Sequence, residues 1–287
     1  MSFAFFGSSE FSTYVLDELK LHGLIPSLII TTPDRPVGRK LLLTPNVVKV
    51  WAMENNIQTI DPASLKKDNG ELIADLKSRN FDLFLVASYG KMIPQEIFEI
   101  PPRKTLNIHP SLLPKYRGAS PIQSQILNDE REVGVSIMQI EETMDTGPVL
   151  IQKKLDFMEA IGRIELERVL AAEGARLFAH ILPEWIVGAI DPVLQNEEEA
   201  SYCTKIEKED GELMIDPQDL PQGDEAKKAF LKILAFEGWP GTYFTHHNKR
   251  VVIKEAHLEN GVLQLTKVLP EGKREMSFSD FLRGLSQ

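Results

Sequence analysis

Phe3-Ala4-Phe5-Phe6-Gly7-Ser8-Ser9-Glu10-Phe11 reads as a strand running into a helix. Four consecutive apolar residues suit a short buried strand, and Gly7 closes it. Ser8 or Ser9 can cap the helix that follows, whose apolar positions Phe11, Val15, Leu16 and Leu19 have helical spacing. The same unit recurs outward from there. Ile25 to Thr31, Ile57 to Ile60, Leu83 to Ala87, Thr105 to His109 and Val133 to Ile140 read as further strands. Val47 to Asn55, Leu72 to Lys77 and Ile122 to Leu127 read as helices between them, and Asp34 to Pro45 as a Pro- and Gly-punctuated loop. This alternation predicts an α/β fold, a doubly wound, mostly parallel Rossmann-like sheet with helices on both faces.

The pattern then changes. A long helical stretch carries Leu166, Val169, Leu170, Leu177, Ile181 and Trp185 along one stripe, with Pro183 interrupting its end. Asp191 to Ala200 has the polarity of a solvated linker. Beyond it, Tyr243-Phe244, Val251 to Lys254 and Val262 to Leu265 are short β-like runs separated by turns, which predicts a smaller C-terminal β-barrel of OB-like type. The expected organisation is a catalytic domain at 1–190, a linker at 191–202 and a barrel domain at 203–287.

Composition narrows the function classes. The 287 residues are 43 % hydrophobic and 26 % charged, enough for two ordinary cores. One cysteine, Cys203, rules out an internal disulfide framework and points to a reducing, cytoplasmic setting. No apolar run of about eighteen residues occurs, so neither membrane insertion nor export is expected. The net charge of −10 argues against broad binding to nucleic acid, but not against a local basic patch. Gly-x-Gly-x-x-Gly is absent after the first strand and no Walker A sequence appears, and the missing glycine fingerprint disfavours a dehydrogenase. His246-His247 reads as an exposed polar turn rather than a metal site, and no metal is expected.

Two polar segments carry the chemistry. Asn107-Ile108-His109-Pro110-Ser111-Leu112-Leu113-Pro114-Lys115-Tyr116-Arg117-Gly118-Ala119-Ser120-Pro121 begins at a strand end. Strand periodicity sends Asn107 and His109 to one side, at the sheet edge where open α/β folds place ligands. Gly118 permits an unusual turn, and Ser120-Pro121 reads as an N-cap with Pro at the first helical position. The second segment, Glu141 to Pro148, places Asp145 at the same edge if its strand runs parallel to the first. Taken singly, each has a plain explanation: Asn107 and His109 closing a strand by local hydrogen bonds, and Asp145 in an acidic turn.

Together, Asn-x-His-x-Ser-Leu-Leu-Pro-x-Tyr-Arg-Gly and Met-Asp-Thr-Gly-Pro resemble the folate-dependent formyltransferase family. That resemblance implies a catalytic triad of Asn107, His109 and Asp145 and a folate-contacting turn at Ser111, Leu112, Leu113 and Pro114. Phe84 to Pro94, including Met92, resembles the strand and loop whose backbone lines the pterin pocket. Asn107 and a protonated His109 suit donation to an oxyanion, and Asp145 suits raising the imidazole's proton affinity and helping to accept the amine proton through water. Thr32 to Pro45 resembles the insertion loop of the branch that formylates initiator methionyl-tRNA. Ala200 to Ile206, Phe236 to Gly241 and Ser277 to Gly284 resemble that branch's C-terminal domain. The resemblance implies 10-formyltetrahydrofolate as donor and phosphate contacts at Arg39, Lys40, Lys115, Arg117, Lys249 and Arg250. A monomer is expected. Leu41, Leu42 and Leu234 stand where that branch usually carries cations. Two alternatives remain: a formyltransferase acting on a sugar-nucleotide amine, and a noncatalytic folate- or RNA-binding protein.

Overall fold

The computed structural model describes residues 1–37, 41–67 and 69–285. Chain contacts divide it into two units. The first comprises Met1–Arg117, Gly134–Leu155 and Glu167–Tyr202; the second comprises Gly118–Val133, Asp156–Leu166 and Cys203–Gln287. Two excursions from the N-terminal part of the sequence therefore group with the C-terminal residues.

The chain opens with β1 (Phe3–Phe6), α1 (Glu10–Leu21), β2 (Leu28–Ile30), β3 (Arg35–Val37) and β4 (Leu42–Thr44). Then come α2 (Val47–Glu54), β5 (Thr59–Ile60), α3 (Gly70–Ser78), β6 (Leu83–Val86), α4 (Gln95–Phe98) and β7 (Thr105–His109). They are followed by β8 (Arg117–Gly118), α5 (Pro121–Leu127), β9 (Glu132–Gln139), β10 (Val149–Asp156) and α6 (Arg163–Val187). The sheet order is β10-β9-β7-β6-β1-β2-β5. From β5 to β7 all pairings are parallel, as the alternation predicts, whereas β7 and β9 are antiparallel.

Each strand pairing has a residue-level cause. β1, β2 and β6 are buried along their whole length, as apolar runs in a parallel sheet must be. Ser9 takes the N-cap position of α1 and gives its backbone N–H to Ser12 Oγ, 3.2 Å away. Leu76 of α3 and Ile97 and Phe98 of α4 pack with Phe6, Phe84 and Val86 on one face of the sheet. On the other face Gly174 of α6 sits so close to Ile108 that an added Cβ would lie 2.4 Å from its Cγ2. Pro183 lies inside α6 rather than ending it. The expected loop at Asp34 to Pro45 contains the antiparallel ladder of β3 with β4, Arg35 facing Thr44.

In the second unit β11 (Tyr202–Cys203) enters from the first, and α7 (Gly223–Ala235), β12 (Tyr243–His246), β13 (Lys249–Glu259), β14 (Val262–Pro270), β15 (Met276–Ser277) and α8 (Phe278–Arg283) follow. β12 to β15 pair antiparallel in chain order. The pattern predicted a small antiparallel C-terminal domain, and among the described residues β12 to β15 form its antiparallel sheet, with Glu212 bridging Tyr243 on the outer side of β12. α7 and α8 supply its apolar cover with Ala226, Ala229, Phe278 and Phe281. His247 and Asn248 both have positive φ (47° and 59°), forming the tight turn that joins β12 to β13.

Candidate active site

Asn107 and His109 lie at the end of β7, as periodicity requires. In register, Asn107 is level with Val86 and so shares the face of Phe84 and Val86. Ile108 points to the opposite face, against α6. Among the described residues the Asn107 carboxamide makes no hydrogen bond, and the side chain is half-buried. It is a donor left free at the sheet's carboxyl edge.

His109 is buried, and both ring nitrogens face a defined neighbour. Nε2 lies 3.0 Å from the Tyr116 carbonyl oxygen. A carbonyl has no proton to give, so Nε2 carries the hydrogen and donates. Nδ1 then faces Asp145 Oδ1 at 3.7 Å, beyond a hydrogen bond but close for charges screened from water. A proton accepted at Nδ1 would form an imidazolium beside a carboxylate.

Asp145 arrives by a route other than the expected one. Because β9 is antiparallel to β7, Gln139 ends beside Leu106 at the start of β7, and Ile140 N–H bonds the Thr105 carbonyl. The loop from Ile140 to Pro148 thus leaves from the wrong edge. From Leu106 to His109 is three residues, about 10 Å at roughly 3.3 Å each, within reach of the six residues from Ile140 to Asp145. Asp145 itself adopts φ 58°, and Tyr116 φ 59°, both left-handed without being glycine.

The turn after His109 is locked by Ser111 together with two polar residues, Ser136 and Gln152, that sequence patterns do not single out. Ser111 is fully buried, and its Oγ donates to the Lys115 carbonyl at 2.6 Å. Ser136 Oγ donates to the Ser111 carbonyl at 2.6 Å and accepts the Leu113 N–H at 3.1 Å. Gln152 Nε2 donates to the Leu113 carbonyl and to Ser136 Oγ, both at 2.8 Å. Ser111 and Leu113 are therefore turned inward, where the resemblance implied folate contacts; Leu112 and Pro114 stay partly exposed. Ser120 occupies the N-cap position before Pro121, but its hydroxyl donates to the Thr204 carbonyl instead of capping α5. Gly118 has φ 118°, and a Cβ there would lie 2.3 Å from the Cys203 carbonyl oxygen.

Arg117 is the clearest correction among the expected phosphate contacts. Its side chain is 0 % exposed, and all five N–H donors are used inside the protein. Nε and Nη2 bond Gln195 Oε1 at 3.0 and 2.9 Å, and Nη1 and Nη2 bond the two Glu197 carboxylate oxygens at 2.9 and 2.8 Å. Nη1 also donates to the Tyr202 hydroxyl at 3.0 Å. The hydrogen-bonded guanidinium holds the Glu197 carboxyl below the usual carboxylate range. Charge at Arg117 thus secures the segment read as a solvated linker.

The remaining expected contacts are scattered. Among the described residues the backbone N–H and C=O groups of Gly90, Lys91, Met92 and Ile93 make no hydrogen bond. Met92 is exposed beside them, while the Lys91 ammonium donates to the Pro62 and Ala63 carbonyls at 2.8 and 3.1 Å. Lys115 and Lys249 are exposed, and Arg250 stacks 3.5 Å over the Tyr243 ring. Arg39 and Lys40 lie outside the described residues. His246 and His247 stack edge to face at 4.2 Å and border a cavity of about 560 Å³ that also takes in Glu212 to Gln218. No expected catalytic residue lines it.

Residues 1–182 match the family model described as Formyl transferase, a span that includes Asn107, His109 and Asp145. The chain belongs to the formyl transferase family. This formyl transferase is 34 % identical over 311 residues to the methionyl-tRNA formyltransferase of Dictyoglomus thermophilum, covering 99 % of this chain and 97 % of that one. It is also 34 % identical over 307 residues to the methionyl-tRNA formyltransferase of Thermus thermophilus, covering 99 % and 96 %. Among solved structures it matches a sugar N-formyltransferase from Shewanella sp FDAARGOS_354 with TM-score 0.65 at 16 % identity, over 89 % of this chain and 97 % of that one. It matches the methionyl-tRNA formyltransferase from Clostridium thermocellum with TM-score 0.60 at 18 % identity, over 94 % and 99 %. Those structural likenesses speak for the shared fold. No described helix of this formyl transferase is long and apolar enough to cross a membrane.

Proposed function

We propose that this chain transfers the formyl group of 10-formyltetrahydrofolate to the free amine of initiator methionyl-tRNA, with Asn107, His109 and Asp145 as catalytic residues. The observation that carries the reading is the grouping at the end of β7: a free carboxamide, and an imidazole whose Nδ1 faces a carboxylate. In the reaction the amine nitrogen bonds the formyl carbon, and the bond from that carbon to the folate N10 breaks with its electron pair returning to N10. Net, one proton moves from the amine to N10. The Asn107 amide donates to the oxygen as negative charge develops on it, a contribution of about 2.7–4 kcal/mol for one such donor. His109 takes the amine proton at Nδ1, directly or through water, while Asp145 stabilises the imidazolium; the same proton then serves the departing nitrogen. His109 Nε2 stays on the Tyr116 carbonyl, so the oxyanion relies on Asn107 rather than on a second donor from the ring.

Near-complete alignment with methionyl-tRNA formyltransferases supports the tRNA acceptor over a sugar-nucleotide amine. The unbonded backbone from Gly90 to Ile93 supports a pterin as the planar ligand. Lys115 and Lys249, with Arg39 and Lys40, are the proposed phosphate contacts, Arg250 being stacked on the Tyr243 ring. The test is transfer of labelled formyl from 10-formyltetrahydrofolate to charged initiator tRNA, charged elongator tRNA and amino-sugar nucleotides. Formylmethionyl-tRNA is the expected product, and Asn107→Ala should lower kcat by about 10²–10³. Transfer to the amino sugar alone, or an unchanged His109→Ala enzyme, overturns the reading.

A further inference from the structure

Gln195 lies in the polar segment after α6, and its amide touches two things at once. Oε1 accepts from Arg117 Nε and Nη2, while Nε2 donates to the Asp145 carbonyl at 2.9 Å and the Gly147 carbonyl at 2.7 Å. Only one orientation of the carboxamide fits, because the guanidinium has donors only and the two carbonyls accept only. The same segment reaches the other side of His109. Ser201 Oγ accepts the Tyr116 N–H at 2.9 Å, and the Ser201 carbonyl accepts the Arg117 N–H at 2.9 Å. Tyr116 supplies the carbonyl that binds His109 Nε2, and Asp145 supplies the carboxylate facing Nδ1. Both have left-handed backbones, a conformation that survives where neighbours over-determine it.

We infer that Gln195 is a positioning residue for the formyl transfer, clamping the Asp145 loop against a buried arginine so that the carboxylate stays on His109. The inference rests on the proposed roles of His109 and Asp145. Gln195 makes no bond to the Asp145 carboxylate or the His109 ring; it acts through the backbone carbonyls of Asp145 and Gly147. Arg117 fixes the near end of the clamp, since its remaining donors are fastened to Glu197 and Tyr202.

Gln195→Glu separates the clamp from the anchor. It keeps an acceptor for Arg117 but replaces the two N–H donors with an oxygen that repels the Asp145 and Gly147 carbonyls. Gln195→Met, the second variant, removes both. Steady-state formylation should show kcat lowered at least ten-fold in each, with KM for folate and for methionyl-tRNA within about three-fold of the parent. Asp145→Asn is the reference, and in Asp145→Asn with Gln195→Glu the second change should add no further loss, because both act through one carboxylate. A Gln195→Glu enzyme with parental kcat, or losses that multiply in the double variant, overturns the inference while the triad stands. An Asp145→Asn enzyme with parental kcat overturns the reading of the site and this inference with it.

Discussion

His109 sits between two residues, Asp145 and Tyr116, whose backbones are left-handed without the freedom of glycine. Such positions cost about 1–3 kcal/mol each, and here the strain coincides with the two groups that orient one imidazole. Another residue carries an uncompensated cost on the same sheet face. Tyr89 is 2 % exposed and packs on the Phe6 ring at 5.5 Å, yet its hydroxyl has no hydrogen-bond partner among the described residues. Tyr89→Phe should therefore stabilise the protein by about 1 kcal/mol in denaturant titration. Burial pushes the phenol's pKa up from its ordinary value of 10.0. Above that pH the unfolded tyrosine ionises while the folded one keeps its proton, so the folded state binds more protons and stability falls. The advantage of Tyr89→Phe should widen as pH rises past 10; an advantage that stays constant with pH would sink the burial argument.

Among elements, the loop from Ile140 to Pro148 does what no single strand could. It leaves β9 at the far edge and returns Asp145 to His109, closing with the Gln139 N–H on the Pro148 carbonyl at 2.9 Å. Gly147 makes that closure possible, because a Cβ there would lie 2.0 Å from the Gln139 carbonyl oxygen. Gly147→Ala is expected to open the ladder, destabilising by about 1–3 kcal/mol and lowering kcat at least ten-fold. Chemical denaturation together with steady-state kinetics checks it, and a variant with parental values on both counts defeats the packing argument. Elements such as β1 and β6 were legible because full burial demands an apolar run. β10 was not, since its side chains are partly or wholly exposed and Lys153 and Lys154 interrupt the pattern. The β3–β4 ladder is not legible for a similar reason, Leu42 to Thr44 all being exposed.

At the scale of the whole molecule, a net charge of −10 leaves tRNA affinity resting on local cations. With Arg117 withdrawn into the protein and Arg250 stacked on Tyr243, the proposed contacts are Arg39, Lys40, Lys115 and Lys249. Four contacts imply that log Kd for charged tRNA changes with log salt with a slope of about 3 in magnitude. Lys249→Ala should lower that slope by about 1 while leaving folate KM unchanged. Filter binding across a salt series measures both, and a slope near zero would falsify phosphate contact as the basis of binding.

Local chemistry by itself determined the strand–helix alternation, the placing of Asn107 and His109 on one side of a strand end, and the family that these motifs resemble. Each depends on spacing between near neighbours, which the chain carries wherever it folds. Tertiary structure alone decided that β9 runs against β7, that Arg117 is buried rather than offered to phosphate, and that Gln195 reaches the Asp145 loop. Those outcomes depend on which distant segments meet: Arg117 and Gln195 are 78 positions apart, and Gln195 and Asp145 are 50. A charged or amide side chain looks the same in sequence whether water or another side chain satisfies it, and only the packed chain makes that choice.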